Sequence, residues 1–184
     1  KGCLTSAEAG KAAEKGIKSI NPSCHTSVIP IADGGEGLLD VLITATKGKY
    51  ITLSAHGPLM KMAKTHYGLS GNGRTAIIEM AAISGLPLVP ADKRNPMLTT
   101  TFGTGELIKD ALNKGCRNFI IGIGGSATND AGLGMLQALG FRFLDKSGHT
   151  LGTGGQIMEA VANIDTSGIH PALRETHFMV ACDV

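Results

Sequence analysis

Apolar positions recur at helical spacing through Ala7, Ala12, Ala13, Ile17 and Ile20, which predicts a helix over residues 6–20. Thr5-Ser-Ala-Glu8 has the spacing of a capping box, and Asn21-Pro22 closes the helix. The apolar run "TSVIPIA" (26–32) predicts a strand, which meets Asp33-Gly-Gly-Glu36 and then a helix ending near Thr46, before Gly48. "YITLSAHG", "AKTHYGLSG" and "RTAIIEMA" read as three strands, separated by Gly-Pro and Gly-Asn-Gly turns. "GTGELIKDALNKG" predicts a helix and "RNFIIGI" a short buried strand. Residues 129–139 then predict a helix, "FRFLD" a strand, 155–163 a helix and 177–183 a strand. The order is α β α β β β α β α β α β. Strands alternating with helices indicate an α/β fold with parallel sheet, and the three consecutive strands indicate a mixed sheet. No internal repeat or low-complexity segment interrupts the pattern.

The ends break it. A helix start sits at the N-terminus with no strand before it, and "HFMVACDV" is strand-like but stops without a turn. The expectation is a longer protein, lacking here an N-terminal strand and a C-terminal half. An open slot in the sheet is then expected beside the strand holding Val28 and Ile29.

Composition narrows the function classes. Of the 184 residues, 42% are hydrophobic and 17% charged, as in a globular domain. Net charge is +2, and two Tyr, five Phe and no Trp give little for base stacking, so nucleic acid is not expected as a partner. No apolar run approaches the ~20 residues of a spanning helix, so no membrane is expected. Cys3, Cys24, Cys116 and Cys182 form no C-x-x-C, and the histidines form no H-E-x-x-H. Reduced thiols in a cytoplasmic protein are the expectation. The 26 glycines are about twice the ~7% of average usage, and they gather in pairs and G-x-G triplets at strand-to-helix junctions.

Those junctions carry the candidate chemistry. Gly122-x-Gly124-x-x-Ala127 matches the dinucleotide fingerprint, with Asp145 ending the next strand where a ribose-binding acid belongs. Two features oppose that reading. Asp145 opens a D-K-S-G turn, and Ser126, Thr128, Asn129 and Asp130 are polar where a dinucleotide loop turns apolar. Hydroxyls and an acid at a helix start suit a metal–phosphate group, or else simple helix capping. "GLSGNGRT" (68–75) resembles a P-loop, but Arg74 replaces the lysine and a strand follows, so a hairpin turn is expected. "ADGGEG" (32–37) brings two carboxylates to a second junction, as helix cap or as magnesium and proton acceptors. "TTTFGTGE" (99–106) adds hydroxyls and Glu106 at a third. Three such junctions favour one polar cleft at the carboxyl ends of strands.

Together, "LTSAEA", "PIADGGEG", "GPL", "IEMAAISGL", "KRNPM", "TTTFGTGELI", "GIGGSATNDAG" and "CDV" resemble the bacterial glycerate kinase family, of the glycerate kinase I type, across essentially the whole chain. The resemblance implies a Rossmann- or flavodoxin-like lobe and a second α/β lobe with a mixed sheet, divided here into residues 1–56 and 57–184. It implies ATP- and Mg2+-dependent phosphorylation of D-glycerate to 2-phosphoglycerate or 3-phosphoglycerate. The chain departs from the pattern at Cys3, where serine is usual, and at Ala131, where glycine is usual.

On this reading Gly124, Gly125 and Ser126 hold phosphate oxygens through backbone N–H groups, with Thr128 and Asn129 adding side-chain donors. Asp130 and Asp183 bind magnesium or act as base. Asp33 and Glu36 bind glycerate hydroxyls, one of them as base. Lys1 and Arg94 hold the substrate carboxylate or the transferring phosphoryl group, and Gly34, Gly35 and Thr104 complete the substrate site. A homo-oligomer is compatible with the sequence. A dinucleotide-binding oxidoreductase domain and a non-catalytic fragment of the kinase stand as the alternatives.

Overall fold

A computed structural model describes residues 4–32, 34–35 and 37–182. Five strands form one mixed sheet: β1 (Lys49–His56), β2 (Met62–Leu69), β3 (Thr75–Glu79), β4 (Asn118–Gly122) and, last in the chain, β7 (His177–Ala181). The spatial order is β1-β2-β3-β4-β7. β1, β2 and β3 are antiparallel neighbours, whereas β3, β4 and β7 run parallel. The expected α/β class with a mixed sheet is what forms. β1 and β2 pair at eight positions across the Gly57–Lys61 turn, so a division at 56/57 would cut a hairpin inside one sheet.

Helices cover the sheet unequally. α4 (Phe102–Asn113) buries Leu107, Ile108, Ala111 and Leu112, a helical stripe that meets Tyr67, Ala76, Ile78, Phe119 and Ile121. α2 (Leu38–Thr46) packs Leu39 and Ile43 on Ile77 of the opposite face. It comes so close to β2 that a Cβ on Gly68 would stand 2.6 Å from the Leu39 side chain. The short α3 (Ala81–Ser84) and α5 (Leu133–Ala138) flank α4. β7 is the last strand of the sheet, and its Phe178, Met179 and Val180 are exposed.

Several elements depart from the sequence pattern. α1 (Ser6–Ile20) forms with its capping box complete, yet none of its residues is buried. Residues 26–32 are extended but pair with no strand. They run beside α1: Thr26 Oγ1 donates to Glu14 (2.6 Å), Ile31 N–H donates to Ser6 Oγ (3.0 Å), and Val28 packs on Gly10. Pro30 supplies no N–H, which works against sheet pairing there. The slot expected beside a Val28–Ile29 strand therefore has no such strand to flank it. The helix expected over 129–139 shortens to α5, because Ala131 and Gly132 adopt positive φ (50° and 75°) and break the helical backbone. The helix expected over 155–163 is instead a 3-10 segment, Gly155–Ala160, followed by β6 (Asn163–Asp165). β6 pairs antiparallel with β5 (Arg142–Leu144) in a separate two-stranded sheet.

Candidate active site

The carboxyl ends of β3, β4 and β7 lie side by side at Glu79, Gly122 and Ala181. Gly34 and Gly35 lie over them. A Cβ on Gly122 would stand 2.4 Å from Gly34 O, one on Gly34 would stand 2.6 Å from Ala181 O, and one on Gly124 would stand 2.8 Å from Gly35 Cα. Glycine is required here because backbone touches backbone. The two glycine-rich junctions read from the sequence thus meet directly, and Gly124 N–H donates to Gly34 O at 3.3 Å.

The loop after β4 is strapped down on its other side. Leu86 N–H donates to Gly125 O (3.0 Å), Ala127 N–H donates to Ser84 O (2.9 Å), and Thr99 Oγ1 donates to Ala127 O (2.8 Å). The third junction, around Thr99–Thr101, is therefore part of the same assembly. Gly124 N–H is committed to Gly34, which removes it from the expected phosphate donors. The N–H groups of Gly125 and Ser126 have no hydrogen-bond acceptor among the described residues, and Gly125 is held at φ 73°. Ser126 Oγ and Thr128 Oγ1 lie 2.7 Å apart, and Thr128 N–H donates to Ser126 Oγ. Both hydroxyls line a cleft of about 250 Å³ with Leu86, Arg94, Asn95 and Pro96. Arg94 is exposed, and its Nε donates to Val89 O at 3.4 Å. A guanidinium, two hydroxyls and the neighbouring amides give this cleft the chemistry of an anion site. Asn129 is exposed beside it.

Asp130 is placed differently from expectation. Only 1% exposed, its carboxylate accepts from Thr101 N–H (2.8 Å), Thr101 Oγ1 (3.0 Å), Thr100 Oγ1 (3.2 Å), Gly132 N–H (3.1 Å) and Gly134 N–H (3.2 Å). An ionised carboxylate offers about four lone-pair sites, and all are taken by protein donors. Asp130 braces the Thr99–Thr101 segment against the start of α5. It also answers the α5 N-terminus with its own negative charge, so no phosphate is needed there.

Thr104 is corrected too. It is buried in α4, with Oγ1 2.8 Å from Ser84 Oγ, and does not face the cleft. Glu106 accepts from His56 N–H (2.7 Å) and lies 2.9 Å from His56 Nδ1, tying α4 to the end of β1. Gly34 and Gly35 sit at the loop contact just described. Lys1, Asp33, Glu36 and Asp183 lie outside the described residues. Among the described residues no three His, Cys, Asp or Glu side chains are grouped to hold a metal ion. With Asp130 braced inside, the described residues do not fit magnesium.

Glu79 escaped the sequence reading because nothing distinguishes an acid at a strand end from a solvated one. It accepts from Leu39 N–H at 2.8 Å and from Gly37 N–H, and burial raises its pKa above the ordinary carboxylate value. The only available signal was α2 itself, whose N-cap is a glycine with no side chain to cap it.

The dinucleotide alternative fails on topology. A ribose-binding acid should end the next parallel strand of the same sheet. β5 instead pairs with β6 outside that sheet. Asp145 accepts from Ser147 N–H and His149 N–H within its own turn, and those bonds lower its pKa.

Comparison with known proteins agrees with the geometry. Residues 1–184 match the glycerate kinase family. The chain is 53% identical to glycerate kinase of Bacillus subtilis (strain 168), over 98% of this chain and 47% of that protein. It is 49% identical to glycerate 2-kinase of Escherichia coli (strain K12), over 98% of this chain and 48% of that protein. A crystal structure assigned to a glycerate kinase 2 of Salmonella typhimurium LT2 superposes with a TM-score of 0.88 at 48% identity, covering 98% of this chain and 48% of that one. The chain spans about half the length of the relatives it matches. Family match, sequence identity and superposed fold lead to one conclusion: the chain belongs to the glycerate kinase family.

Proposed function

We propose that this chain carries the phosphate-handling part of an enzyme that transfers the γ-phosphoryl group of ATP to D-glycerate. The observation that carries the reading is the direct contact of the Gly34–Gly37 and Gly122–Gly132 loops beside the Arg94–Ser126–Thr128 cleft. One loop is bracketed by acids in sequence, and the other offers amides and hydroxyls.

Phosphoryl transfer asks a protein for positioning and charge neutralisation. The Gly125 and Ser126 amides, with the Thr128 hydroxyl and Asn129, hold phosphate oxygens. Arg94 neutralises phosphate or the glycerate carboxylate with a fixed charge, and Lys1 shares that task. A glycerate hydroxyl oxygen forms the new bond to the γ-phosphorus, and the bond from that phosphorus to the bridging oxygen of ADP breaks. The hydroxyl proton passes to a carboxylate, for which Asp33, Glu36 and Asp183 are the proposed acceptors. The name of the Escherichia coli relative supports phosphorylation at the 2-hydroxyl, giving 2-phosphoglycerate. We place the enzyme in the cytoplasm; among the described residues no helix is long and apolar enough to cross a membrane.

A coupled ADP-release assay on the full-length protein tests this, with D-glycerate varied and magnesium-ATP as donor. Glycerate-dependent ADP release with 2-phosphoglycerate as product is expected. No glycerate dependence would sink the reading, and 3-phosphoglycerate would correct its regiochemistry.

A further inference from the structure

The α2 helix begins at Leu38 behind Gly37, which has φ 92° and no side chain with which to cap the first turn. Leu38 N–H of that turn donates to Gly35 O at 3.3 Å, and the next donor leaves the segment. Glu79, on a strand 40 residues further along the chain, accepts from Leu39 N–H (2.8 Å) and from Gly37 N–H. Glu79 stands at the carboxyl end of β3, opposite Gly122 in the strand register. Gly122 is where the phosphate loop leaves the sheet and where Gly34 O rests. The Gly34–Gly37 loop is therefore held at two points. Gly124 N–H binds its entrance through Gly34 O, and Glu79 binds its exit through the first turn of α2. Within the loop, Leu38 N–H also donates to Gly35 O at 3.3 Å, and Glu79 adds a hold from a neighbouring strand.

We propose that Glu79 is a positioning residue. By capping α2 from the neighbouring strand, it sets where the acid-bracketed glycine loop stands against the phosphate loop. The inference rests on the glycerate kinase reading and deepens it. The loop at stake is the proposed glycerate side of the site, while the Arg94–Ser126–Thr128 side is strapped independently through Ser84, Leu86 and Thr99. Loss of Glu79 should therefore disturb glycerate more than ATP.

The test uses the full-length protein. Glu79→Leu removes the acceptor at similar size, Glu79→Gln keeps an acceptor oxygen, and Glu79→Asp shortens the reach. In Glu79→Leu the KM for glycerate should rise about tenfold or more while that for ATP stays within about twofold. Glu79→Gln should stay within about threefold of wild type for both, since the bond to a backbone N–H is retained. Hydrogen exchange of the 34–42 segment should quicken in Glu79→Leu and not in Glu79→Gln. If Glu79→Leu does not fold, Glu79→Asp should show the same split at smaller size.

Equal changes in both KM values, or an unchanged glycerate KM in the folded Leu or Asp variant, would overturn the proposal. Unchanged exchange in Glu79→Leu would do so as well. The exchange readout needs no turnover. A wild-type enzyme without glycerate-dependent ADP release would therefore defeat the functional reading while the role of Glu79 is still decided.

Discussion

Gly124 donates its N–H to the carbonyl of Gly34 at 3.3 Å, and this bond joins two loops that lie 90 positions apart in the numbering. The contact leaves no space for a side chain on either partner. Gly34→Ala should be destabilising for two reasons that add. Gly34 has φ 81°, and the new Cβ would meet Ala181 O at 2.6 Å. Left-handed strain of about 1–2 kcal/mol plus overpacking of about 1–3 kcal/mol predicts a loss of about 2–5 kcal/mol. A fall in the urea midpoint at constant m-value checks it, and a midpoint equal to wild type would show that the two loops are not tightly opposed.

Asp130→Asn separates the brace from a metal ligand. The carboxamide keeps one oxygen but turns an NH2 toward buried N–H donors. At least one buried donor is then unsatisfied, at a cost of about 1–3 kcal/mol. The magnesium concentration giving half-maximal activity in the full-length enzyme should not move. A shift of about tenfold or more in that concentration, with stability unchanged, would restore the metal role.

Ala131 occupies a left-handed conformation, φ 50°, in the loop that α5 follows. Ala131→Gly relieves about 1–2 kcal/mol of strain, whereas the added freedom of the unfolded chain costs about 0.4–1 kcal/mol. The balance predicts a gain of about 0.5–1 kcal/mol, visible as a raised urea midpoint. A lowered midpoint would mean that the alanine methyl packs productively.

Glu79 gives a pH signature of definite sign. Burial raises its pKa in the folded protein from 4.5, Asp40 adds to the rise, and His66 and the N–H groups of Leu39 and Gly37 oppose it. A group whose folded pKa is raised contributes stability below its unfolded pKa and loses it as pH rises through the folded value. Wild type should therefore lose stability relative to Glu79→Gln as pH climbs from the ordinary carboxylate value through the raised one. Denaturation midpoints of both proteins across that range are the measurement. Parallel curves would show that burial does not hold the proton on Glu79.

The local elements were legible where one residue's neighbours in sequence are also its neighbours in space. The Thr5–Glu8 capping box, the α4 stripe, the alternation of β1 and the apolar run of β3 are of that kind. Residues 26–32 carry strand-like composition, but a strand needs a partner, and there the partner is α1. Thr104 lies at the third junction and so reads as a substrate contact, yet in α4 its hydroxyl is buried against Ser84.

By itself the sequence determined the α/β class, the type of most elements, the family resemblance and the three junctions that matter, because periodicity, turn residues and motifs are short-range information. Tertiary structure alone decided what each junction residue does. Orphan N–H groups at helix starts can be satisfied by any acceptor the fold brings near. Asp130 reaches Thr101, 29 positions away, and so turns inward as a brace. Glu79 reaches Leu39, 40 positions away, and so becomes a cap. The same competition for hydrogen-bond partners took the Gly124 amide for Gly34, leaving the Gly125 and Ser126 amides without an acceptor among the described residues, with Ser126 lining the cleft.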